Sequence, residues 1–434
     1  MRGNTVIIIA LCLISASFTV GIHDGAWGFG LALMMPFFLF IGITLLLLAD
    51  YPLSLWIYLL PLLILRTNVM GYFVWATALP ILLASESRTS QQRLTFPARQ
   101  GVHLGLILFF ACIGCVIAGL TNLSIEKLIG TYLIPFLTYY SIIKIPVNIE
   151  IESKLPKLYL FAFAFVGFGS VIYKLNNPFE DRVAGYLQLS VTMIGYSSAV
   201  LIPLSLHFIS KSRNQLFDMF ILIFLLIAML LTNTRMAIPM AAIAFMFNFN
   251  KFRRFVVPIL VISTIILLIG SKVFFYRYFV MKNTSIDTSL LARLFAWKTA
   301  FDLIQTHPFI GIGLSKFSEI YLKMSAITVI DLAHAHNTFF QKSLDLGIPG
   351  MITYFSFIFS RLYKGFRCRF DDLSSALTLG LSIYFLAGLL DSVFYMTEWT
   401  IFYWSLLACL ERRTRILDIH ASSYSQLNCS RAAL

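Results

Sequence analysis

Long apolar runs recur along the chain and constrain its fold more than any other feature. Hydrophobic residues make up 59% of the 434 positions and charged residues only 12%, against about 25% charged residues in soluble domains. Backbone that crosses a bilayer must form its own hydrogen bonds, so each run is predicted to be a helix. We therefore expect an all-α, polytopic integral membrane protein with about 12 (12–14) transmembrane helices, surrounded by membrane lipids. The runs lie near residues 6–20, 27–49, 52–65, 71–84, 103–120, 128–143, 158–173, 187–210, 216–232, 236–249, 256–270, 346–360, 373–390 and 394–410.

The basic residues lie in short clusters between the apolar runs. A net charge of +13 could indicate a nucleic-acid partner, but the cations are not gathered on one soluble segment, so no nucleic acid is expected. Cytoplasmic loops of membrane proteins are enriched in Lys and Arg. With a cytoplasmic N-terminus, alternating crossings place all the dense clusters in the cytoplasm, together with the C-terminus. The clusters are Arg88/Arg93/Arg99, Lys211/Arg213, Lys251/Arg253/Arg254, Arg361/Lys364/Arg367/Arg369 and Arg412/Arg413/Arg415.

The same alternation places one long polar insertion, residues 271–345, on the external side. The chain is interpreted as a single membrane-embedded domain, 1–434, with this insertion as a large external loop and residues 416–434 as a polar, loose cytoplasmic tail. The first run could be a signal peptide, but no small-residue cleavage site precedes Trp27, so we interpret it as a retained helix. Cys112 and Cys115 lie in an apolar run without a second pair and are predicted to be buried small side chains.

Part of the long insertion is predicted to be helical and ordered. Ser289 can cap a helix that runs to about Thr306, and the sequence His307-Pro308 ends it. Apolar residues of this segment recur at helical spacing, so the loop is expected to lie along the membrane surface. These residues are Leu290, Leu294, Trp297, Phe301 and Ile304.

Several ionisable residues fall on the external side, against the usual charge bias. Arg182, Arg235 and Arg293 each offer a guanidinium, which stays charged and holds phosphate in a bidentate way, although snorkelling to the interface is an alternative. His336 can act as a general base near neutral pH, or it can be a hydrogen-bonded histidine at a loop–helix junction. His334 could form a His-x-His metal pair with it, but no third ligand is close in sequence, so no metal is expected.

The polar cluster continues on the C-terminal side of the histidines. Asn337 is expected to orient the local backbone. Lys342 lies six residues beyond the second histidine and should not share its helical face, so we interpret it as a supporting or solvated group. Gly347, Pro349 and Gly350 are typical of a turn where the loop re-enters the membrane.

Four stretches resemble the bacterial O-antigen ligases and O-antigen polymerases. The first is His336-Asn337 followed, after nine residues, by Gly347-Ile348-Pro349-Gly350. The second, LTNTRMA at 231–237, is similar to a family segment with an arginine at the outer end of a middle helix. The third, residues 290–317, resembles an Arg-helix-Pro-Gly-x-Gly segment. The fourth, DRVAGYLQLS at 181–190, resembles an outer-face arginine that precedes a helix. The resemblance covers the second half of the chain.

The resemblance implies a glycosyltransferase of the bacterial inner membrane with its active site in the periplasm. The favoured function is O-antigen ligase, which transfers a polysaccharide from undecaprenyl pyrophosphate to the lipid A–core oligosaccharide with inversion and without metal, nucleotide or other cofactor. His336 would activate the acceptor hydroxyl. The residues that would hold the pyrophosphate are Arg182, Arg235 and Arg293. The supporting residues would be Asn337, His334, Gly347 and Gly350.

Two other functions fit part of the pattern. A polysaccharide polymerase would use the same donor with another polyprenol-linked glycan as acceptor, but the single large external loop favours the ligase. A transporter of lipid-linked sugars would also contain intramembrane ionisable residues, although it would not need the His-Asn element. Nucleotide-sugar chemistry fits poorly, because no Gly-rich phosphate loop or Asp-x-Asp pair is found. Asp391 and Glu398 border the last external turn, and either could assist acceptor binding.

Overall fold

Every secondary-structure element in the part of the chain that the structure describes is a helix. The structure is a computed structural model that describes residues 57, 94–176, 191–232, 234, 236–247, 288–324 and 332–432. A π-helical turn, Ile129–Leu133, joins the second and third helices. The helices are α1 (Ala98–Ile117), α2 (Asn122–Leu128), α3 (Ile134–Lys144), α4 (Ile151–Asn176), α5 (Val191–Lys211), α6 (Gln215–Leu231), α7 (Ala237–Phe247), α8 (Thr288–Thr306), α9 (Phe317–Met324), α10 (Thr338–Arg367), α11 (Asp372–Ala387) and α12 (Thr397–Ala432).

These helices coincide with the apolar runs of the sequence. Each run between residues 103 and 249, and each run after residue 346, overlaps a helix, which confirms the all-α prediction for the described ranges. Three of the helices, α1, α4 and α5, are long and apolar enough to cross a membrane. The first four runs, apart from Ile57, and the run near 256–270 lie outside the described residues. The total of about 12–14 transmembrane helices therefore stays a prediction.

One end of the helix bundle collects cations from the predicted cytoplasmic loops. The buried carboxylate of Glu411 in α12 contacts the Nε atom of Arg415 at 2.6 Å and the Nε atom of Arg361 in α10 at 3.8 Å. It also accepts a 2.7 Å hydrogen bond from Nε2 of Gln100 in α1. This region, defined by Arg361, Glu411 and Arg415, is termed the basic end. It joins the ends of three helices through one buried carboxylate.

The other end of the same bundle carries the polar motif. The hydroxyl of Tyr196 in α5 donates to Oδ2 of Asp391, which follows α11, at 3.4 Å. The amide of Thr338, the first residue of α10, donates to the carbonyl of Gly388 at 2.7 Å. Nδ1 of His336 lies 3.1 Å from Oδ1 of the same Asp391. This region, defined by His336 and Asp391, is termed the histidine end.

The two ends are separated along the axes of the helices. Thr397 begins α12 beside the histidine end, and Arg412 follows about 22 Å further along the helix at 1.5 Å per residue. Lys211 joins the basic end through an ion pair with Asp372 at 3.4 Å. The described basic clusters therefore lie at the end of the bundle opposite His336, in agreement with the alternation of charge in the sequence. The side of the membrane that each end faces stays a prediction.

Aromatic side chains fill the core between the two ends. Trp404 of α12 is fully buried and stacks on Phe357 of α10 with 5.2 Å between ring centroids. Its indole Nε1 donates to the hydroxyl of Tyr354 at 3.2 Å, so the polar atom of the indole is satisfied inside the core. This packing holds α10 against α12 and fixes the position of the histidine end relative to the rest of the bundle.

The structure corrects the predicted boundary between the long insertion and the next helix. The Gly-Ile-Pro-Gly sequence is not a turn that precedes a helix. Instead α10 begins at Thr338 and bends at Gly347, whose φ of 72° and ψ of 169° are not helical. The amide of Ile348 donates to the carbonyl of Pro308 at 2.8 Å, and the amide of Ile312 donates to the carbonyl of Leu344 at 2.8 Å. The loop after α8 thus inserts into the bend and satisfies the backbone groups that the bend releases.

The predicted helix in the insertion is present. α8 covers Thr288–Thr306, as the capping and stop signals indicate. Its buried face is a row of small residues, Ala292, Ala296 and Ala300, whereas Leu294 and Phe301 are exposed. Small side chains allow α8 to pack closely on α10, and the large apolar residues point away from the protein. The exposed face agrees with the expected position along the membrane surface, which stays a prediction.

Two smaller predictions also need correction. α12 continues to Ala432, so the tail after Arg415 is helical rather than loose. Cys115 is buried as predicted, but Cys112 is exposed on α1. Two residues three positions apart on a helix need not face the same environment, and here the face that carries Cys112 is uncovered.

Candidate active site

Two connecting segments meet at the histidine end and are held together by backbone contacts. Asn337 caps α10, because its side-chain oxygen accepts hydrogen bonds from the amides of Phe339 at 2.9 Å and Phe340 at 3.1 Å. The Nδ2 atom of Asn337 donates to the carbonyl of Leu389 at 2.8 Å. The expected role of Asn337 in orienting the backbone is therefore observed. The start of α10 is fixed on the segment that follows α11, which contains Asp391.

His336 and Asp391 form a hydrogen-bonded pair in this junction. Nδ1 of His336 lies 3.1 Å from Oδ1 of Asp391. The same Oδ1 accepts a hydrogen bond from the amide of Ser392 at 2.9 Å, and Oδ2 accepts from the hydroxyl of Tyr196 at 3.4 Å. The backbone of His336 has a φ of +47°, an uncommon conformation for a residue other than glycine. Strained residues of this kind cluster at functional sites.

Asp391 is held in its ionised form. Burial alone would raise the pKa of Asp391. The hydrogen bond and charge of His336, with the charges of His334 and Arg293, outweigh burial and bring the pKa below its usual value. The carboxylate therefore accepts a hydrogen bond from the Nδ1–H group of the imidazole, and this preference sets the tautomer of His336. The sequence predicts that Asp391 borders the last external turn, where it or Glu398 could assist acceptor binding. The only feature that marks Asp391 in the sequence is that it is a single acidic residue within an otherwise apolar stretch.

His334 lies against the same carboxylate. Its Nε2 atom is 3.7 Å from Oδ1 of Asp391, and its ring centroid is 4.2 Å from that of His336. On the other side the ring stacks on Tyr395 with 4.9 Å between centroids. Burial, together with the neighbouring charge of His336, lowers the pKa of His334 to about 4, so this imidazole is neutral at physiological pH. The fold thus supplies the third ligand-type residue that is missing from the local sequence.

Arg293 and Trp297 approach the pair from α8. Nη1 of Arg293 donates to the carbonyl of Leu390 at 3.4 Å, and Nε1 of Trp297 donates to the carbonyl of His336 at 3.2 Å. The two side chains are four residues apart and therefore lie on the same side of the helix. Arg293 is half-buried, so part of its guanidinium remains accessible. The structure thus brings one of the three predicted arginines to the histidine end.

The other two predicted arginines cannot be placed. Arg182 and Arg235 lie outside the described residues. Thr234, the residue before Arg235, is described and buried; its hydroxyl donates to the carbonyl of Val191 at the start of α5. The same helix carries Tyr196, which contacts the carboxylate of the pair. The backbone next to Arg235 therefore belongs to the histidine end, although the contacts of the arginine itself stay a prediction.

A buried polar layer lies beneath the histidines and was not predicted. Lys342 is buried rather than solvated, and its Nζ atom donates to the hydroxyl of Tyr132 at 3.0 Å. That hydroxyl lies 3.4 Å from Oδ2 of Asp345, and Oδ1 of the same carboxylate accepts a hydrogen bond from Nε2 of Gln341 at 2.9 Å. Oε1 of Gln341 accepts from the amide of Ala335 at 3.0 Å. The layer therefore connects the π-helical turn to the segment that carries the histidines.

The predicted glycines act through close backbone contacts. A Cβ atom at Gly347 would meet the carbonyl oxygen of Phe309. A Cβ atom at Gly350 would lie 2.6 Å from Cβ of Leu346 and 3.0 Å from Cβ of Phe110 in α1. Both glycines support the site by letting the loop after α8 and helix α1 approach the bend in α10. Neither of them reaches the imidazoles.

Comparison with known proteins gives a family match for part of the chain. Residues 220–355 match the O-antigen ligase family, a range that contains Arg235, Arg293, His336 and the glycines of the bend, but not Asp391. No curated protein matches the sequence. This match confirms the resemblance to the O-antigen ligase and polymerase superfamily within residues 220–355.

Proposed function

We propose that the protein is an O-antigen ligase that moves a polysaccharide from undecaprenyl pyrophosphate to the lipid A–core oligosaccharide at the periplasmic face of the inner membrane. The observation that carries the proposal is the contact between His336 and the buried carboxylate of Asp391, with Arg293 beside it. The family match at residues 220–355 supports glycosyl transfer in general. The donor, the acceptor and the orientation belong to the proposal.

The proposed chemistry follows from the position of the proton on His336. Asp391 accepts a hydrogen bond from Nδ1, so Nε2 carries the free lone pair and is available as a base. An acceptor hydroxyl attacks the anomeric carbon, a new glycosidic bond forms, and the bond from that carbon to the pyrophosphate oxygen breaks. The proton of the hydroxyl passes to Nε2. Attack from the face opposite the leaving group inverts the anomeric centre.

The leaving pyrophosphate needs cations near the anomeric carbon. Arg293 offers a half-buried guanidinium at the histidine end, and a guanidinium can make two parallel hydrogen bonds to phosphate oxygens. Arg182 and Arg235 complete the proposed phosphate site. Stabilisation of the developing negative charge by fixed cations is the electrostatic contribution that such a reaction requires. No nucleotide takes part in this scheme.

The test is reconstitution of the full-length protein with a polyprenyl-pyrophosphate-linked glycan and two acceptors offered together. The ligase places the glycan on lipid A–core. Elongation of the lipid-linked glycan instead would identify a polymerase, which uses the same donor and belongs to the same superfamily. Transfer to neither acceptor would contradict the proposal.

His336→Ala and Asp391→Asn test the proposed base directly. General-base catalysis contributes about 10² to 10⁴-fold, so His336→Ala should reduce transfer by that range, and Asp391→Asn should reduce it strongly because the amide no longer fixes the tautomer. Both variants should reach the membrane at normal levels. Asp302→Asn, an exposed acidic position on α8, is the matched control and should transfer normally. Unchanged turnover in His336→Ala would rule out this mechanism.

A further inference from the structure

The histidine end contains three side chains of the types that bind transition metals. His334, His336 and Asp391 each present one ligand atom, and these atoms all lie within 4.8 Å of one another. Oδ1 of Asp391 is 3.1 Å from Nδ1 of His336 and 3.7 Å from Nε2 of His334. In a four-coordinate zinc site with bonds of about 2.0–2.1 Å, neighbouring ligand atoms are about 3.3 Å apart. Two of the three distances between ligand atoms are therefore close to those of a tetrahedral site, and the three side chains supply three of its four ligands.

The three side chains are also held in place. Asp391 is buried and anchored by Ser392 and Tyr196. The ring of His334 lies between Tyr395 and His336, and its Nδ1 atom has no hydrogen-bond partner among the described residues. Ring contacts on both sides therefore hold His334 with its Nε2 atom toward Asp391. Its side chain is 20% exposed and that of His336 is 18% exposed, so an ion can enter and a water molecule can complete the coordination.

The surroundings select the kind of ion and limit its affinity. Two nitrogen ligands and one carboxylate suit zinc and cobalt, whereas magnesium prefers oxygen ligands and keeps several waters. Arg293 and Lys127 are close enough to act on the charge of His334. Their positive charges oppose a divalent cation, so binding should be reversible and weaker than at a structural zinc site.

We propose that His334, His336 and Asp391 form a reversible inhibitory site for a divalent transition metal of the zinc class. A metal ion on Nδ1 of His336 leaves the ring proton on Nε2. The nitrogen that would accept a proton from the acceptor is then blocked, and Asp391 is engaged by the metal instead of the imidazole. The inhibitory part of this inference rests on the proposed function, whereas the binding part does not.

Cobalt binding to the full-length protein in nanodiscs tests the site without any activity measurement. Four-coordinate Co²⁺ absorbs visible light strongly, and added Zn²⁺ should displace it while Mg²⁺ should not. The visible absorption band of bound Co²⁺ should appear in the wild type and saturate at one ion per chain. It should be lost, with affinity reduced by at least about 10-fold, in His334→Gln and in Asp391→Asn. His307→Ala, an exposed histidine at the end of α8, should bind like the wild type. A wild type without the band, or His334→Gln with a normal band, would disprove the site.

A transfer assay with zinc tests the inhibitory role. Zinc should inhibit wild-type transfer, and a chelator should restore it. The inhibitory concentration, measured against each variant's own zinc-free rate, should rise by about 10-fold or more in His334→Gln and stay unchanged in His307→Ala. If cobalt binds as expected but zinc leaves wild-type transfer intact, the inhibitory role is wrong. Normal transfer by His336→Ala would count against the proposed function and leave the cobalt result standing.

Discussion

The role assigned to His336 depends on contacts to both its ring and its backbone. Asp391 accepts from the ring, and Trp297 donates to the carbonyl of His336 at 3.2 Å. The carboxylate sets which nitrogen is free, while the indole fixes the backbone that aims the ring. On the other side of the positive φ of His336, the side chain of Asn337 donates to the carbonyl of Leu389 and helps to hold the backbone. Three neighbours thus give the ring and backbone of this histidine a defined orientation.

Arginine-to-lysine variants separate phosphate binding from simple charge placement. Lysine keeps the charge but lacks the planar fork of a guanidinium. If Arg293 and Arg235 hold the pyrophosphate, each lysine variant loses a charge-assisted hydrogen bond of about 1.5–3 kcal/mol. We therefore expect transfer to fall by roughly 10- to 150-fold, measured in proteoliposomes at matched protein levels. Arg254→Lys, from a predicted cytoplasmic cluster, should transfer normally.

Equal transfer by all three lysine variants would mean that the external arginines only anchor the protein at the interface. The pyrophosphate site would then have to be formed by other cations. Lys127 is the nearest described alternative, because its Nζ atom lies 3.0 Å from the carbonyl of Tyr395 and 3.7 Å from the centre of its ring.

The bend in α10 links the catalytic segment to the loop after α8. The first part of the helix carries Lys342 and Asp345 of the buried polar layer, and the second part packs on α12 through Phe357. Gly347 permits the change of direction because a φ of 72° is unfavourable for residues with a side chain. The loop that starts at Pro308 fills the space opened by the bend.

Gly347→Ala should destabilise the protein. A Cβ atom would strain the backbone by about 1–3 kcal/mol and would push against the carbonyl of Phe309. We expect a lower unfolding temperature in a thermal assay of the purified protein, together with reduced transfer. Gly105→Ala in α1 is the matched control, since nothing lies within 4 Å of a Cβ atom there, and alanine favours a helix by up to about 1 kcal/mol. Equal stability of the two variants would show that the bend does not need glycine.

At the scale of the whole molecule, charge is distributed between two ends of one bundle. Arg412 is fully buried at the basic end, where its Nε atom donates to Glu152 at 2.9 Å and its Nη2 atom donates to the carbonyl of Ile149 at 2.9 Å. Arg413 pairs with Asp371 at 2.6 Å. The cations near the C-terminus therefore hold helices together, in addition to their predicted effect on orientation in the membrane.

Reporter fusions test how the two ends face the membrane. The charge alternation predicts a cytoplasmic signal for fusions after Arg254 and after Arg369, and an external signal for a fusion near Lys323. The measurement is the activity of a reporter that works on one side of the membrane only, with expression levels compared by immunoblot. A cytoplasmic signal near Lys323 would place His336 on the wrong side for a periplasmic substrate.

Much of the fold could be predicted from the sequence, because burial in a bilayer is a property of composition and run length. The apolar runs gave the helices, and the caps and stop signals gave the bounds of α8. The motif around His336 gave the superfamily. The buried face of α8 was not predicted, since hydrophobic size alone does not reveal that a row of alanines allows closer packing than leucine and phenylalanine do.

The sequence by itself determined the all-helical character of the described residues and the match to the O-antigen ligase family at residues 220–355, because these depend on local composition and on residues close together in the chain. Only the tertiary structure decided what the histidine contacts. Asp391 lies 55 residues from His336, and Tyr132 lies 210 residues from Lys342. Such partners meet only when the helices pack, so the tautomer of the base and the metal-type cluster are consequences of packing.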